Sequence, residues 1–376
     1  MIEIDKAKTR EGRKNLRELA KEKYGVDTLW SWSRYNTYQT SPYEYFLRYI
    51  KFEKETRENI YLTLGSISHE IIEDYYLNKI KYEDMIKVYD KRIEQEVKWL
   101  NKKFDTNDED ENKKMEDKYY SCCRHFYKHH EPLKGKVLIE EPMTIQMGKY
   151  VFMGYVDAIN FHDNKIYITD WKTSSMYTGK KIQENAGQLK LYAIGLYQHM
   201  VSKGVEIKDI VPRWNFLKYC KISYKQKNGK MATRNIERCD IVNKLEKRIK
   251  MFAKELGIEV DDFILEQNDF DLLPKEIQDC FLIEDCYVDV PINQEILDDF
   301  KNEVIETLDK IERKTEQYKK NGNDEIFCEK VTKKESFYFA NLCGYSALQH
   351  KPYARYLEEM NELNDMKEEW NEYLSV

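Results

Sequence analysis

The sequence predicts a mixed α/β (α+β) fold, a central mixed β-sheet flanked by helices, with helical additions towards the N- and C-terminal ends. Three observations carry this. Residues 64 to about 103 repeat their apolar positions with helical period and few breakers. Residues 136–171 change to short β-rich runs separated by turn dipeptides. A second helix-period stretch, about 181–203, then leads into a basic strand pair, and helix, meander, helix, strand is the order of a mixed α/β core.

The elements follow in order. Residues 1–25 are charged and helix-compatible, and after the long helical stretch the acidic run DTNDEDENKKMED behind Phe104 reads as a surface loop before another helix through His130. VLIEEPMTIQM, YVFMGYVDAINF and KIYITDW form a three-stranded meander, turned at Gly148-Lys149 and Asp163-Asn164. Asn228-Gly229 marks a hairpin turn in the basic segment, and helices follow at about 240–257 and 293–320. Three consecutive regions are expected: an N-terminal helical region (1–130), a core with the basic hairpin (131–240), and an acidic, helical C-terminal region packing on the core (241–376). No internal repeat or low-complexity tail interrupts them.

Composition excludes several classes. At 376 residues, roughly 150 per domain allows two or three units around a full core. No apolar run approaches the roughly 18 residues that a membrane helix needs, and the first residues lack the apolar segment of a secretory leader, so no membrane partner is expected. The eight cysteines are scattered without a CxxC pair, which suits reduced thiols in a cytoplasm rather than a disulfide framework. The abundance of Lys, Ile, Asn and Tyr fits the cytoplasm of a low-GC bacterium or of its phage-infected cell.

Net charge is −6, but it is an average over unlike segments. Between Arg213 and Arg238 eight basic residues face Glu237 alone, while between Glu255 and Phe300 fifteen acids face only Lys275. The basic segment interleaves Arg213, Lys218, Lys221, Lys225, Lys227 and Lys230 with Trp214, Phe216, Tyr219 and Tyr224. Cations alternating with flat rings suit a phosphate backbone and unstacked bases; an ordinary solvated hairpin accounts for the same pattern. The acidic segment reads as a solvated face.

The chemistry-bearing pattern lies in the meander. If Asp163-Asn164 is a two-residue turn, Asp170 faces Asp157 across the hairpin, and alternation puts Lys172 on the same face two residues on. Two carboxylates opposed at the end of an apolar face repel each other and are costly to desolvate without a cation between them. A hard divalent ion meets that need, with the lysine orienting or deprotonating a water; a plain Asp/Lys salt bridge is the bland alternative. Gln188 and Tyr192, spaced i, i+4 on the next helix, share one face. Glu141, at the end of the first strand, is a weaker candidate, and Glu140 or a solvated strand end accounts for it equally well.

The segments GYVDAI, YITDWKTSS and QLKLYA resemble the core of the PD-(D/E)XK nuclease superfamily, in the RecB-like branch that includes CRISPR-associated exonucleases. Upstream, LWSWSRYNTYQTSPYEYFLRYI and LGSISHEIIEDYY resemble that branch's N-terminal segment and its histidine-bearing helix, so the likeness spans roughly residues 29–200. The resemblance implies a restriction-endonuclease-like sheet and a Mg2+ or Mn2+ site held by His69, Asp157, Asp170 and the Trp171 carbonyl. It implies Lys172 as the catalytic lysine, with Gln188 and Tyr192 positioning substrate or lysine. Taken alone, His69 reads as a histidine at the rim of the core, and Gln188 and Tyr192 as ordinary surface and boundary residues; the resemblance is what singles them out. Many members of the branch hold an iron–sulfur cluster on four cysteines. Here Ser41 stands before Pro42 and only Cys343 remains near the C-terminal end, so no iron–sulfur cluster is expected, while the segment near Cys343 is expected to dock beside Ser41.

These features predict a metal-dependent deoxyribonuclease, an exonuclease acting on DNA ends or single strands in recombination, repair or phage DNA processing. With no GxxxxGK[ST] loop in the chain, unwinding would fall to a partner helicase. The rival from another class is a catalytically inactive DNA-binding scaffold on a nuclease fold, in a recombination or defence assembly.

Overall fold

A computed structural model describes residues 10–100, 102–104 and 108–361. In chain order its principal elements are α1 (Arg10–Tyr24), α2 (Trp32–Thr40), α3 (Ile60–Tyr76), α4 (Met85–Ile93), α5 (Glu109–His129), β1 (Lys136–Met147), β2 (Tyr150–His162), β3 (Lys165–Lys172), α6 (Gly187–Met200), β4 (Ile210–Lys225), β5 (Met231–Glu237), α7 (Ile241–Leu256), β6 (Phe281–Asp289) and α8 (Gln294–Asn321). Residues 1–9, part of the first expected helix, lie outside the described residues. The long helix expected from residue 64 ends where Asn78 takes a left-handed conformation (φ 57°), which breaks the i to i−4 ladder. The helix expected from about residue 181 is likewise two, Lys180–Asn185 and α6.

Contacts divide the chain into two units, each drawn from separated stretches rather than from consecutive regions. The first comprises Met1–Asn59, Gln146–Gly154 and Asp298–Val376. Helix α2 starts on Ser31, whose hydroxyl accepts from the Arg34 N–H at 3.2 Å, and α8 buries Phe300, Val304, Leu308 and Ile311 at helical spacing. The segment near Cys343 does dock beside that of Ser41. Arg57 donates to the Phe339 carbonyl at 2.8 Å, the Thr56 N–H donates to the Gly344 carbonyl at 3.0 Å, and Tyr338 donates to Glu44 at 2.5 Å.

The second unit, Ile60–Ile145 and Tyr155–Leu297, carries the predicted site. The six strands are ordered β1-β2-β3-β4-β5, with β6 also paired to β4. β2 and β3 are antiparallel, β3 and β4 parallel with α6 in the crossover, and β4 is antiparallel to both β5 and β6. Helices α3, α4 and α5 bury Leu64, Ile67, Ile71, Tyr89 and Phe126 with Trp171 and Leu217 of the sheet. Helix α7 buries Leu245, Ile249 and Phe252 with Cys220, Ile222 and Ile236 of the β4–β5 hairpin. The acidic stretch around residue 285 is therefore not merely a solvated face: β6 passes through it, and Asp285 is 3% exposed.

Candidate active site

The β2–β3 hairpin turns as its sequence predicts. Asp163 and Asn164 both have positive φ (49° and 57°), the conformation of the two-residue turn that matches the twist of paired strands. The ladder then pairs Phe161 with Ile166, Ile159 with Ile168 and, last, Ala158 with Thr169; the same register carried one step beyond it sets Asp157 against Asp170. Ile168 and Ile159 floor this face, so both carboxylates end on a buried surface, 8% and 3% exposed.

Each acid has found partners. The Trp171 N–H donates to Asp157 Oδ2 at 3.1 Å. Lys172 donates to Asp170 Oδ1 at 3.0 Å and lies 2.7 Å from Oδ2, which takes part in no hydrogen bond of sound geometry. Burial pushes the Asp157 carboxyl above the usual range and the Asp170 charge adds to this, with His69 and Lys172 opposing. Burial works against the Lys172 ammonium, yet the Asp170 and Asp157 carboxylates hold its pKa above the ordinary lysine value. A lysine so held is a cation and a donor; in this arrangement it is no base.

His69 arrives from α3, whose Ile67, Ile71 and Ile72 are fixed in the core. Its Nε2–H donates to the Trp171 carbonyl at 2.7 Å, and Nδ1 stands 3.3 Å from Asp157 Oδ2. Alternation sends the Trp171 ring to the opposite face, where it stacks on Tyr76 (6.0 Å, 18°), while its carbonyl stays beside His69. From α6, the buried Tyr192 donates to the Tyr155 carbonyl at 2.9 Å. Burial raises the Tyr192 pKa, a hydrogen bond from Gln188 opposes this, and the charges of Asp157, Asp170 and Glu140 add to it. Gln188 and Tyr192 are thus paired at the rim of the acidic cluster, and Glu140 rather than Glu141 is the acid that Tyr192 feels.

His69, Asp157, Asp170 and the Trp171 carbonyl are brought together as predicted. Their side-chain donors are not drawn tight: among the described residues, the group of three whose ligand atoms all lie within 4.8 Å is instead His125, His129 and Asp271. The separation has a visible cause, since Asp170 faces Lys172 while Asp157 faces the Trp171 N–H and His69. Two buried carboxylates, a carbonyl and an imidazole, with one carboxylate oxygen lacking a hydrogen bond, fit a hard divalent cation such as Mg2+ or Mn2+. The other cluster escaped sequence reasoning, although the i, i+4 spacing of His125 and His129 on α5 was a signal. There Asp271 is already paired to Lys128 at 2.5 Å and His129 at 2.9 Å, and Arg238 donates to His125 Nδ1 at 3.1 Å.

The predicted nucleic-acid residues divide. Trp214 is 1% exposed and packs on Tyr177 and Phe216, so its ring has no surface on which to stack a base. Arg213 is wedged between the rings of Tyr167 (4.3 Å) and Tyr287 (4.0 Å) and donates to Thr169 at 3.0 Å, which takes its guanidinium out of phosphate reach. Phe216 and Tyr224 are buried too. The cause is β4 itself: flanked by β3, β5 and β6, it turns into the sheet the rings that an exposed hairpin would display. Lys221 is tied to Glu284 at 2.9 Å, and Lys218 is half-buried with its ammonium 5.2 Å from the Tyr119 ring. Lys225, Lys227 and Lys230 are exposed at the hairpin end. Its loop is longer than an Asn-Gly turn, because Gln226 pairs with Lys230 (2.8 Å) around Lys227, Asn228 and Gly229.

The family model of the PD-(D/E)XK nuclease superfamily matches residues 29–330. No curated protein matches the chain. None of the described helices is long and apolar enough to cross a membrane.

Proposed function

The chain belongs to the PD-(D/E)XK nuclease superfamily, and on that premise we propose that it is a metal-dependent deoxyribonuclease whose site is His69, Asp157, Asp170, the Trp171 carbonyl and Lys172. The observation that carries the reading is the meeting of two buried, opposed carboxylates with an imidazole and a charged lysine at the end of one hairpin. Membership implies phosphodiester hydrolysis. A bound Mg2+ or Mn2+ would supply Lewis-acid polarisation of the phosphoryl oxygen and a more acidic water.

The protein's own groups do the rest. His69, Asp157, Asp170 and the Trp171 carbonyl would hold the cation. Lys172, the charged donor beside Asp170, donates to the attacking water or to a non-bridging phosphate oxygen and stabilises charge as it develops. Tyr192, fixed on the Tyr155 carbonyl, sets the position of Gln188 at the substrate side. Lys225, Lys227 and Lys230 meet the phosphate backbone. Exonuclease action in recombination, repair or phage DNA processing, with unwinding left to a partner helicase, is the setting that the RecB-like resemblance suggests. The preference for single strands loses most of its support, since Trp214, Phe216 and Tyr224 are buried and the half-buried Tyr219 donates to Glu237.

The test incubates end-labelled single- and double-stranded DNA with the protein and Mn2+, beside Asp170→Ala and Lys172→Ala. Loss of cleavage in both variants is expected, and release of label as mononucleotides distinguishes exonuclease from internal cutting. Undiminished cleavage by both variants removes the proposed site.

A further inference from the structure

Helix α7 and the β4–β5 hairpin enclose an open groove of about 610 Å3, lined by Lys227, Arg234, Lys244, Lys247 and Arg248 against the single acid Glu246. The acid is already taken, since Glu246 pairs with Lys250 at 2.7 Å, and Lys244 lies 3.3 Å from Asp240. Among the described residues no carboxylate lies within 4.0 Å of Lys227, Arg234, Lys247 or Arg248. Unpaired cations held side by side repel one another, and here they cannot spread: α7 is pinned by Leu245, Ile249 and Phe252, and the hairpin by Ile222 and Ile236. In a chain of net charge −6, such a concentration asks for an anion longer than one phosphate.

The groove is separate from the carboxylate site. Lys172 is registered with Phe216 on β4, while the groove begins at Arg234, level with Ile222, and reaches Tyr224, about 20–26 Å along the strand at roughly 3.3 Å per residue. Arg234 is also the cross-strand partner of Ile222, on the sheet face that α7 covers. Asn235 points the other way, towards Met176 of the loop that follows Lys172.

We propose that this groove is a second nucleic-acid contact that holds the phosphodiester backbone of the DNA substrate at a distance from the scissile bond. It rests on the nuclease reading and adds to it α7 and a requirement for substrate length. At roughly 3.4 Å per nucleotide step along a strand, a span of about 20–26 Å corresponds to some six to eight base pairs, so a shorter duplex cannot occupy both places.

The experiment measures binding in EDTA, over about 50 to 300 mM salt, to a 30-base-pair duplex and to a hairpin with a four-pair stem. The groove variant is Lys227→Gln/Arg234→Gln/Lys247→Gln, and its control is Lys319→Gln/Lys320→Gln/Lys333→Gln, which makes the same charge change at other exposed positions. Three lost phosphate contacts make the slope of log K against log salt shallower by about 2.7 on the long duplex. Affinity there falls at least tenfold against the control, and the unmodified protein binds the short stem at least tenfold more weakly than the long duplex, because the stem fills only one of the two places. A groove variant that equals the control on the long duplex, in affinity and in slope, overturns the proposal. Absence of Mn2+-dependent cleavage by the unmodified protein counts against the nuclease reading alone, because the binding arm contains no metal.

Discussion

Replacing Lys172 by methionine keeps most of the side-chain volume and removes the one ammonium that faces Asp170. In the folded protein this cation lies 2.7 Å from a carboxylate that is 4% exposed, and the Asp157 side chain, 10% exposed, feels it as well. Removing one partner of a buried pair costs about 3–5 kcal/mol. Because the lysine side chain is itself 28% exposed, water screens part of the interaction, and the lower end of about 3 kcal/mol applies. For a unit of this size that is a fall in Tm of roughly 6–12 °C. The cause is the uncompensated charge, so Asp170→Asn added to Lys172→Met should restore stability rather than reduce it further, with a coupling of about 2 kcal/mol in a double-mutant cycle. Mn2+ should then raise the Tm of Lys172→Met more than that of the unmodified protein, since ion and ammonium compete for the same carboxylate. Thermal denaturation followed by circular dichroism at pH 7.5, with and without Mn2+, reads all three. If Lys172→Met melts with the unmodified protein, or if the two substitutions simply add their costs, the lysine is not the counter-ion of the buried acids.

Two further outcomes follow from buried groups elsewhere. His350 is fully buried; its Nδ1 accepts from the Tyr353 N–H (3.3 Å), so Nε2 carries the proton and donates to Ser41 (3.0 Å), which in turn donates to Glu329. Burial pushes the His350 pKa down from 6.5 to about 4. The unfolded chain therefore takes up the proton first as pH falls, and stability present above pH 6.5 is lost between there and about pH 4, about 3 kcal/mol at 1.36 kcal/mol per unit. Burial raises the Glu329 carboxyl and so acts in the opposite sense, a stabilisation present at low pH and lost as pH rises through its folded value. Urea midpoints of the unmodified protein and His350→Gln between pH 4.5 and 7 should converge on acidification, and parallel curves would contradict this account. In α6, a Cβ on Gly195 would lie 2.5 Å from Ile145 Cγ1 and 2.6 Å from Met143 Sδ. Gly195→Ala should cost about 1–3 kcal/mol despite the roughly 1 kcal/mol that alanine contributes in a free helix. It should also lower cleavage by lifting Gln188 and Tyr192 off the sheet; a gain in denaturation midpoint would sink the argument.

Local chemistry made the hairpin legible. Asp163-Asn164 tolerates positive φ, alternation then fixes which residues share a face, and the pairing of Asp157 with Asp170 follows without any long-range information. Gln188 and Tyr192 were legible as a pair for the same reason. His69 was not, because nothing in its own helix distinguishes a ligand from a rim histidine; only the superfamily resemblance singled it out. The basic strand misled for a related reason. Its alternating cations and rings suit an exposed hairpin, but β4 is central because β6 pairs with it, and β6 lies some sixty residues on in a stretch whose charge hides a strand. Contacts formed at that separation leave no trace in local pattern, so Trp214 and Arg213 read as surface residues, whereas Trp214 is buried and Arg213 is half-buried between two rings.

The polar groups buried under the same strand explain how the site keeps its geometry. Asn215 is registered beside Trp171, the residue whose N–H and carbonyl join Asp157 and His69. Its amide reaches Asp285 at 3.5 Å, and Asp285 is bound by Arg238 at 2.7 Å and His130 at 2.7 Å with all three side chains closed to water. Burial works against the Asp285 charge, yet His130 and Arg238 hold its carboxyl below the usual range. A slip of β6 or β4 by one residue would leave a charge buried without a partner, which costs about 3–5 kcal/mol. Apolar contacts alone would tolerate a slip of two residues, because alternation would return an apolar side chain to the same face. The network therefore specifies one register for β4, and through Asn215 one position for Trp171. The β2–β3 hairpin takes its place from a buried ion cluster on the opposite face of the sheet.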